Sequence, residues 1–160
     1  MRSLRRVRLG GRVRAGTPIL SAKADPSVED YESNMQTVAV IGASEDLSRY
    51  SNMACRQLRA RGHKVYAISL HGRDVQGAIG RTSIAQIPEP LDTATMYIRA
   101  SHQPEVLDAI VAKKPKRVIF NPGSESKASE QRLREAGIEV VHACTLVLLH
   151  TDQFEGAANV

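Results

Sequence analysis

The 160-residue sequence has no tryptophan, and aromatic residues make up only 4% of it. Such a chain lacks the stacking surfaces that bind the bases of single-stranded nucleic acid. It also lacks any apolar run near the 18 residues that would indicate a membrane-spanning helix. Two cysteines, Cys55 and Cys144, are too few for a disulfide framework or a cysteine-rich metal cluster. Without an apolar secretory segment, we expect a reducing compartment, the cytoplasm.

Acidic residues are absent from the first 24 positions, where basic residues are frequent. Residues 1–34 carry seven basic and four acidic side chains, whereas residues 35–160 carry fifteen and thirteen. The net charge of +5 therefore comes largely from the first segment. We expect residues 1–34 to be a basic, disordered extension and residues 35–160 to form one domain. Because the domain is nearly neutral, we expect it to have no nucleic-acid partner.

The extension has three alternative interpretations. Its Arg-rich, acid-poor composition is typical of a transit-like presequence. The same composition would suit a tether to nucleic acid or to an anionic membrane. The third interpretation is that translation starts at Met35, two residues before the first strand, so that the extension is not part of the native protein.

The rest of the chain has ordinary globular composition, with 42% hydrophobic and 24% charged residues. Short β-branched runs alternate with amphipathic stretches, which predicts strands alternating with helices. The predicted strands are 37–41, 64–69, 93–98, 117–120 and 138–142. The predicted helices are 48–61, one starting near Pro104, one capped by Ser124 that stops at Gly137, and a short one after Cys144.

This alternation predicts an α/β fold, namely a doubly wound parallel sheet of about five strands in three α/β/α layers. Sheets of this kind bind ligands outside the carboxyl ends of their strands, at the point where the strand order reverses. The sequence therefore predicts a binding site among the loops that begin at Gly42, Ser69, Arg99, Asn121 and Ala143.

The first of these loops runs from Gly42 to Tyr50. A glycine directly after a buried strand lets the backbone approach a ligand, and the following helix N-terminus favours an anion. Ser44, Ser48 and Arg49 add side-chain donors. The segment lacks the Gly-Lys-Ser/Thr of a P-loop and the later glycines of the dinucleotide fingerprint. The alternative is a tight turn with a solvent-exposed arginine.

The second loop has no acidic residue at the end of its strand, where an NAD enzyme usually has one. His71 and Arg73 instead suit a phosphate on the ribose. The alternative is that this loop is a solvent-exposed polar turn. In the fifth loop, Cys144 precedes a helix, which could activate its thiol; the alternative is a small packed side chain. No Ser-His-acid arrangement and no histidine spacing for a metal is visible, so we expect no catalytic residue and no metal site.

Taken together, these loops resemble the stand-alone bacterial CoA-binding proteins, a family related to the CoA-binding domain of the succinyl-CoA synthetase alpha subunit. The resemblance covers residues 37–154. It is carried by the order of V-A-V-I-G-A-S-E-D-L-S-R-Y, G-H-K-V-Y-A-I-S, I-P-E-P-L-D, Y-I-R, R-V-I-F-N-P-G-S-E and A-G-I-E-V-V-H-A-C-T-L-V. The sequence departs from the family pattern after the second strand, where the usual Pro-Val-Asn-Pro is absent, and in the fourth loop, where Asn121-Pro122-Gly123 replaces Gln-Gly.

The resemblance implies a Rossmann-like domain that binds coenzyme A or an acyl-CoA without catalysis of its own. The implied contacts are a phosphate loop, an adenosine border, a basic residue after the third strand and a pantetheine loop. The phosphate loop corresponds to Gly42, Ala43, Ser44, Arg49 and Tyr50. The adenosine border corresponds to Ser69, Leu70 and His71, and the basic residue is Arg99. The pantetheine loop corresponds to Asn121, Pro122 and Gly123. Cys144 matches a recurrent cysteine, with a redox or a structural role. The alternative function is an NADP-linked oxidoreductase or another nucleotide-binding sensor.

Overall fold

The computed structural model describes Glu29, Glu32 and residues 34–156. The predicted basic extension, residues 1–34, lies almost wholly outside these residues. Within them, no helix is long and apolar enough to cross a membrane.

Residues 37–150 contain six strands and four α-helices. The strands are β1 (Thr37–Ile41), β2 (Lys64–Ile68), β3 (Ile79–Arg81), β4 (Thr93–Met96), β5 (Arg117–Phe120) and β6 (Glu139–His142). The helices are α1 (Tyr50–Ala60), α2 (Pro104–Lys113), α3 (Lys127–Glu135) and α4 (Thr145–His150). Two 3₁₀ turns, Ile84–Gln86 and Ala100–His102, precede β4 and α2.

The strands form one sheet in the order β3-β2-β1-β4-β5-β6, and all neighbouring strands are parallel. Successive side chains point to opposite faces, so β1 contributes Val38 and Val40 to one core and Ala39 and Ile41 to the other. Helices α1 and α4 cover the first face, and α2 and α3 cover the second. The predicted three-layer, doubly wound parallel sheet is therefore confirmed.

Strand β3 was not predicted. It has only three residues, one of them Gly80, and it pairs solely with β2 at the edge of the sheet. Gly80 has no room for a side chain, because an added Cβ would overlap the backbone of Gly72 and Arg73. Gly80 weakens the strand pattern in the sequence, but the fold requires a glycine there because the preceding loop crosses β3 at this position.

The predicted cap of α3 was also wrong. Ser126, not Ser124, caps the helix by accepting a hydrogen bond from the N–H of Ser129 at 3.3 Å. Ser124 is buried, and its hydroxyl donates to the carbonyl oxygen of Asn121 at 2.7 Å. Helix α1 begins two residues later than predicted, and the predicted β2, β4 and β6 are each trimmed by one or two residues.

One buried cation joins the two ends of the described chain at the amino edge of the sheet. Arg117, the first residue of β5, is 4% exposed. Its guanidinium donates to Thr93 Oγ1 at 2.8 Å and to the carbonyl oxygen of Phe154 at 2.6 Å, and it lies 4.7 Å from the centre of the Phe154 ring. It also reaches Gln36 Oε1 at 3.4 Å. The segments before β1 and after α4 are therefore held together.

His63 lies beside this cation. Its ring is almost fully buried, Nδ1 accepts a hydrogen bond from the N–H of Gln36 at 3.1 Å, and Nε2 lies 3.0 Å from a carboxylate oxygen of Glu155. These contacts suit a neutral ring that donates from Nε2. Burial lowers the pKa of His63, Glu155 opposes this, and the cations Arg61 and Arg117 lower the pKa further.

We expect stability to depend on the protonation of His63. A histidine whose pKa is lower in the folded than in the unfolded state stabilises the fold above its unfolded pKa, about 6.5. That contribution is lost as pH falls below this value. The free energy of unfolding, measured with urea between pH 8 and pH 5, should fall with acidification. His63→Gln should flatten this dependence, whereas His150→Gln, at an exposed position of α4, should keep it. A wild-type slope in His63→Gln would contradict the assignment.

Candidate functional site

The strand order reverses between β1 and β4, and a cleft opens at the carboxyl ends of the strands beside this point. Its volume is about 420 Å³. The loops after β1, β2, β3 and β4 and the first turn of α2 line it. The lining residues are Ile41, Gly42, Ala43, Ile68, Ser69, Leu70, His71, Thr82, Ile98, His102, Glu105 and Val106. Apolar walls with a polar rim are typical of a small-molecule site.

The turn after β1 depends on Gly42. This residue has φ +88°, and an added Cβ would lie 2.6 Å from Ile98 Cγ2 and 3.3 Å from the carbonyl carbon of Tyr97. The N–H groups of Gly42 and Ala43 both donate to the carbonyl oxygen of Ile68, at 3.0 and 3.1 Å. The turn therefore packs under the loop after β4 and bonds to the end of β2, which brings three loops to one cleft.

The remainder of the first loop folds on itself. The carboxylate of Asp46 accepts hydrogen bonds from the N–H and the hydroxyl of Ser48, and these bonds lower the pKa of Asp46. Ser44 accepts from the N–H of Asp46 at 3.1 Å. Arg49 and Tyr50 are exposed at the start of α1 and lie outside the cleft lining, with Arg49 4.0 Å from Asp46. Their predicted contact with a ligand therefore needs a ligand that extends beyond the cleft.

The second loop borders the cleft through Ser69, Leu70 and His71. Leu70 is 89% exposed, so it forms part of the rim and not of the floor. Arg99, after β4, is exposed and lies outside the lining. Of the predicted residues, the structure thus brings together at the cleft Gly42 and Ala43 after β1 and Ser69, Leu70 and His71 after β2.

Asn121 is the centre of a buried hydrogen-bond network. Its amide nitrogen donates to Thr95 Oγ1 at 2.6 Å and to the carbonyl oxygen of Met96 at 3.0 Å, and its amide oxygen accepts from the N–H of Thr145 at 2.8 Å. The hydroxyls of Thr95 and Thr145 are 2.7 Å apart. Asn121 therefore ties β4, β5 and α4 together, and at 3% exposure it faces the protein.

The network continues to the cleft through Gln103, which is fully buried ahead of α2. Its amide nitrogen donates to the carbonyl oxygens of Ile98 and Ser124, at 3.1 and 2.5 Å. The loops after β4 and β5 are therefore bonded to each other. Pro122 and Gly123, which follow Asn121, are exposed, and an added Cβ at Gly123 would meet nothing within 4 Å.

The two cysteines differ in environment. Cys55 is fully buried on α1, and burial raises the pKa of its thiol to about 12. Cys144 is partly exposed and is the residue before α4. Burial raises the pKa of the neighbouring Tyr97, and Cys144 lies close enough to add to that rise. Only Cys144 is accessible from the carboxyl edge.

Sequence reasoning did not identify Thr82, Ile98, His102, Glu105 and Val106 as cleft residues. Thr82 follows the unpredicted β3. The others lie after β4 and at the start of α2, where the helical pattern indicated Val106 only as a core residue. A second cavity, about 270 Å³, lies at the amino edge. Its charges are mixed, and Lys116 pairs with Asp92 at 2.8 Å there.

A sequence model of the family described as a CoA binding domain matches residues 36–150, which is more than two thirds of the chain. The chain belongs to the CoA-binding domain family. The match spans all six described strands and includes every loop that lines the cleft.

Among curated proteins, the chain is 28% identical over 120 residues to the alpha subunit of the ADP-forming acetate–CoA ligase II of Pyrococcus furiosus. The match covers 71% of this chain and 25% of that subunit, so this CoA-binding domain spans about a quarter of the length of its curated relative. A solved protein from Thermus thermophilus is 30% identical, with a TM-score of 0.69, and the match covers 79% of this chain and 96% of that one. A solved uncharacterized protein is 36% identical, with a TM-score of 0.70 and coverages of 75% and 98%.

The resemblance expected from the sequence is therefore confirmed. It extends beyond bacterial proteins, because the matched ligase subunit is archaeal. The solved proteins, which are matched over nearly their whole length, show that the CoA-binding domain fold also occurs in chains of about this size.

We expect Gly42→Ala to destabilise this CoA-binding domain more than Gly123→Ala does. Both glycines have φ near +90°, so both variants incur the same backbone strain. Only at Gly42 does the new Cβ also clash, with Ile98 and the backbone beside it. Overpacking of this kind costs about 1–3 kcal/mol. The difference between the two variants in the free energy of urea unfolding measures this clash, and equal losses would contradict it.

We expect Asn121→Ala to lower the free energy of unfolding by at least about 2 kcal/mol, because it leaves the buried N–H of Thr145 without its acceptor and removes the two bonds that the amide nitrogen donates to Thr95 and Met96. Asn34→Ala, at an exposed position, is the control and should cost less than about 0.5 kcal/mol. Urea unfolding monitored by circular dichroism checks both. Equal stability of the two variants would mean that the hydrogen-bond network of Asn121 does not stabilise the fold.

Proposed function

We propose that this chain binds coenzyme A or an acyl-CoA thioester along the carboxyl edge of its sheet, without catalysing a reaction itself. The observation that carries the proposal is the position of the cleft, at the strand-order reversal of a CoA-binding family domain. Coenzyme A is an adenosine 3′-phosphate joined through a pyrophosphate to a pantetheine arm that ends in a thiol. Each of these parts has a counterpart along the edge.

The adenosine occupies the cleft. Ile41 and Ile68 form its floor, Ile98 and Val106 form a wall, and an apolar surface of this kind suits the faces of a planar base. The cleft volume of about 420 Å³ is enough for a nucleoside but too small for the whole coenzyme. The rest of the ligand therefore extends along the edge.

The pyrophosphate lies at the turn between β1 and α1. The start of an 11-residue helix carries partial positive charge, and the described residues supply no acceptor for the N–H groups of Tyr50 and Ser51. Arg49, whose side chain is 72% exposed, is free to move from Asp46 to a phosphate. These groups support the predicted role of the Gly42–Tyr50 loop.

The pantetheine arm continues toward the loops after β5 and β6. Pro122 and Gly123 border open space there, and Cys144 is accessible from the same edge. Because the Asn121 side chain is already bonded within the protein, it acts by holding these loops in place. The curated relative is named as a ligase subunit, and this chain corresponds to only a quarter of it, so we propose the binding step alone for this chain.

A thermal-shift panel of CoA, acetyl-CoA, ADP, NAD and NADP tests the proposal. A ligand present at a hundred times its Kd adds about 2.7 kcal/mol to the free energy of unfolding. We expect stabilisation by CoA or acetyl-CoA at concentrations where NAD has no effect. Stabilisation by NADP alone would instead favour the oxidoreductase interpretation.

We expect Arg49→Ala to weaken CoA binding about tenfold with little change in melting temperature, because a hydrogen bond to a charged group contributes about 1.5 kcal/mol or more. Arg56→Ala is the matched control, since Arg56 is also exposed but lies two turns further along α1. Isothermal titration calorimetry measures both affinities. If the two variants bind CoA equally well, the phosphates do not lie at the start of α1.

A further inference from the structure

Backbone contacts and hydrogen bonds hold the loop after β2 in place beside the cleft. It crosses β3 at Gly80, where a side chain would overlap the backbone of Gly72 and Arg73. The carboxylate of Asp74 accepts from the N–H of Gly80 at 2.7 Å, and the N–H of Ser69 donates to the carbonyl oxygen of Arg81 at 3.1 Å. The positions from which His71 and Arg73 extend are therefore determined by the backbone.

The chemistry of this loop is that of a phosphate site. Sites for unphosphorylated ribose usually present a carboxylate at the end of the second strand, which accepts from the ribose hydroxyls. Here that position holds Ser69, Leu70 and His71, and the first acidic residue of the loop, Asp74, is engaged with Gly80. His71 lines the cleft, with a ring N–H able to donate to an anion.

Arg73 is held by a partner that a ligand can replace. Its Nη1 lies 3.1 Å from Oε2 of Glu45, which belongs to the loop after β1. Both side chains are mostly exposed, 66% and 58%, and exposed ion pairs of this kind contribute little to stability. A phosphate group carries more charge than a carboxylate and pairs well with a guanidinium. Glu45 is therefore a competitor for Arg73. The two residues lie outside the cleft lining, and their ion pair joins the two loops that border the cleft.

We infer that Arg73, with His71, recognises a phosphate monoester on the ribose of the bound nucleotide, and that Glu45 lowers the affinity by competing for Arg73. The inference rests on the proposed function, and it names the class of ligand more closely: a ribose-phosphorylated adenine nucleotide. Coenzyme A carries this phosphate on the 3′ oxygen and NADP on the 2′ oxygen. Dephospho-CoA and NAD are the matched ligands without it.

The test is calorimetric titration of the full chain with CoA and dephospho-CoA, and with NADP and NAD, at one ionic strength. We expect the wild type to bind CoA at least tenfold more tightly than dephospho-CoA. Arg73→Ala should lose most of this ratio by weakening CoA alone. Glu45→Gln should raise the ratio severalfold by strengthening CoA alone. Arg56→Ala is the control for removing one exposed positive charge and should keep the wild-type ratio.

The outcomes separate this inference from the proposed function. Equal affinity of the wild type for CoA and dephospho-CoA, or equal losses for both ligands in Arg73→Ala, would overturn the inference and leave CoA binding intact. Binding of NADP in preference to NAD, without binding of CoA, would overturn the proposed ligand and retain the ribose-phosphate site. Failure to bind any of the four would overturn both.

Discussion

The organisation of this domain depends on one close approach, that of the β1 turn to the loop after β4. Gly42 passes so near to Ile98 that a single methyl group would not fit. The approach places two backbone N–H groups on the carbonyl oxygen of Ile68, and so joins the ends of β1 and β2 beside the point between β1 and β4 where the strand order reverses. A cleft results there because the helices after β1 and β4 lie on opposite faces.

The carboxyl edge is built as two separately bonded halves. The loops after β1 and β2 are joined by backbone bonds to Ile68 and by the exposed pair of Arg73 and Glu45. The loops after β4, β5 and β6 are joined by the buried amides of Gln103 and Asn121. The side chains that join the first half are charged and exposed, whereas those that join the second are uncharged and buried. A long ligand that is anionic at one end and uncharged at the other would fit this division.

The strands that are buried on both faces could be predicted, because continuous β-branched runs have few alternatives. Strand β3 could not, since its formation depends on pairing and on a glycine that a neighbouring loop requires. The loops of the site were predictable from the rule on strand ends, but the direction of each side chain was not. Asn121 turns inward and Arg99 outward, although each follows a strand. His102 and Glu105 reach the cleft from the 3₁₀ turn and the helix that follow β4, and no strand end marks them in the sequence.

The bonds of Arg117 to Gln36 and Phe154 bring the first and last described parts of the chain to the edge opposite the cleft. A linker attached at Gln36 or Phe154 would therefore start on the side away from the cleft. A module or a surface anchor joined directly at these two positions would leave the cleft open to solution. The same geometry favours insertion of such a unit into longer polypeptides, since both connections leave from one side.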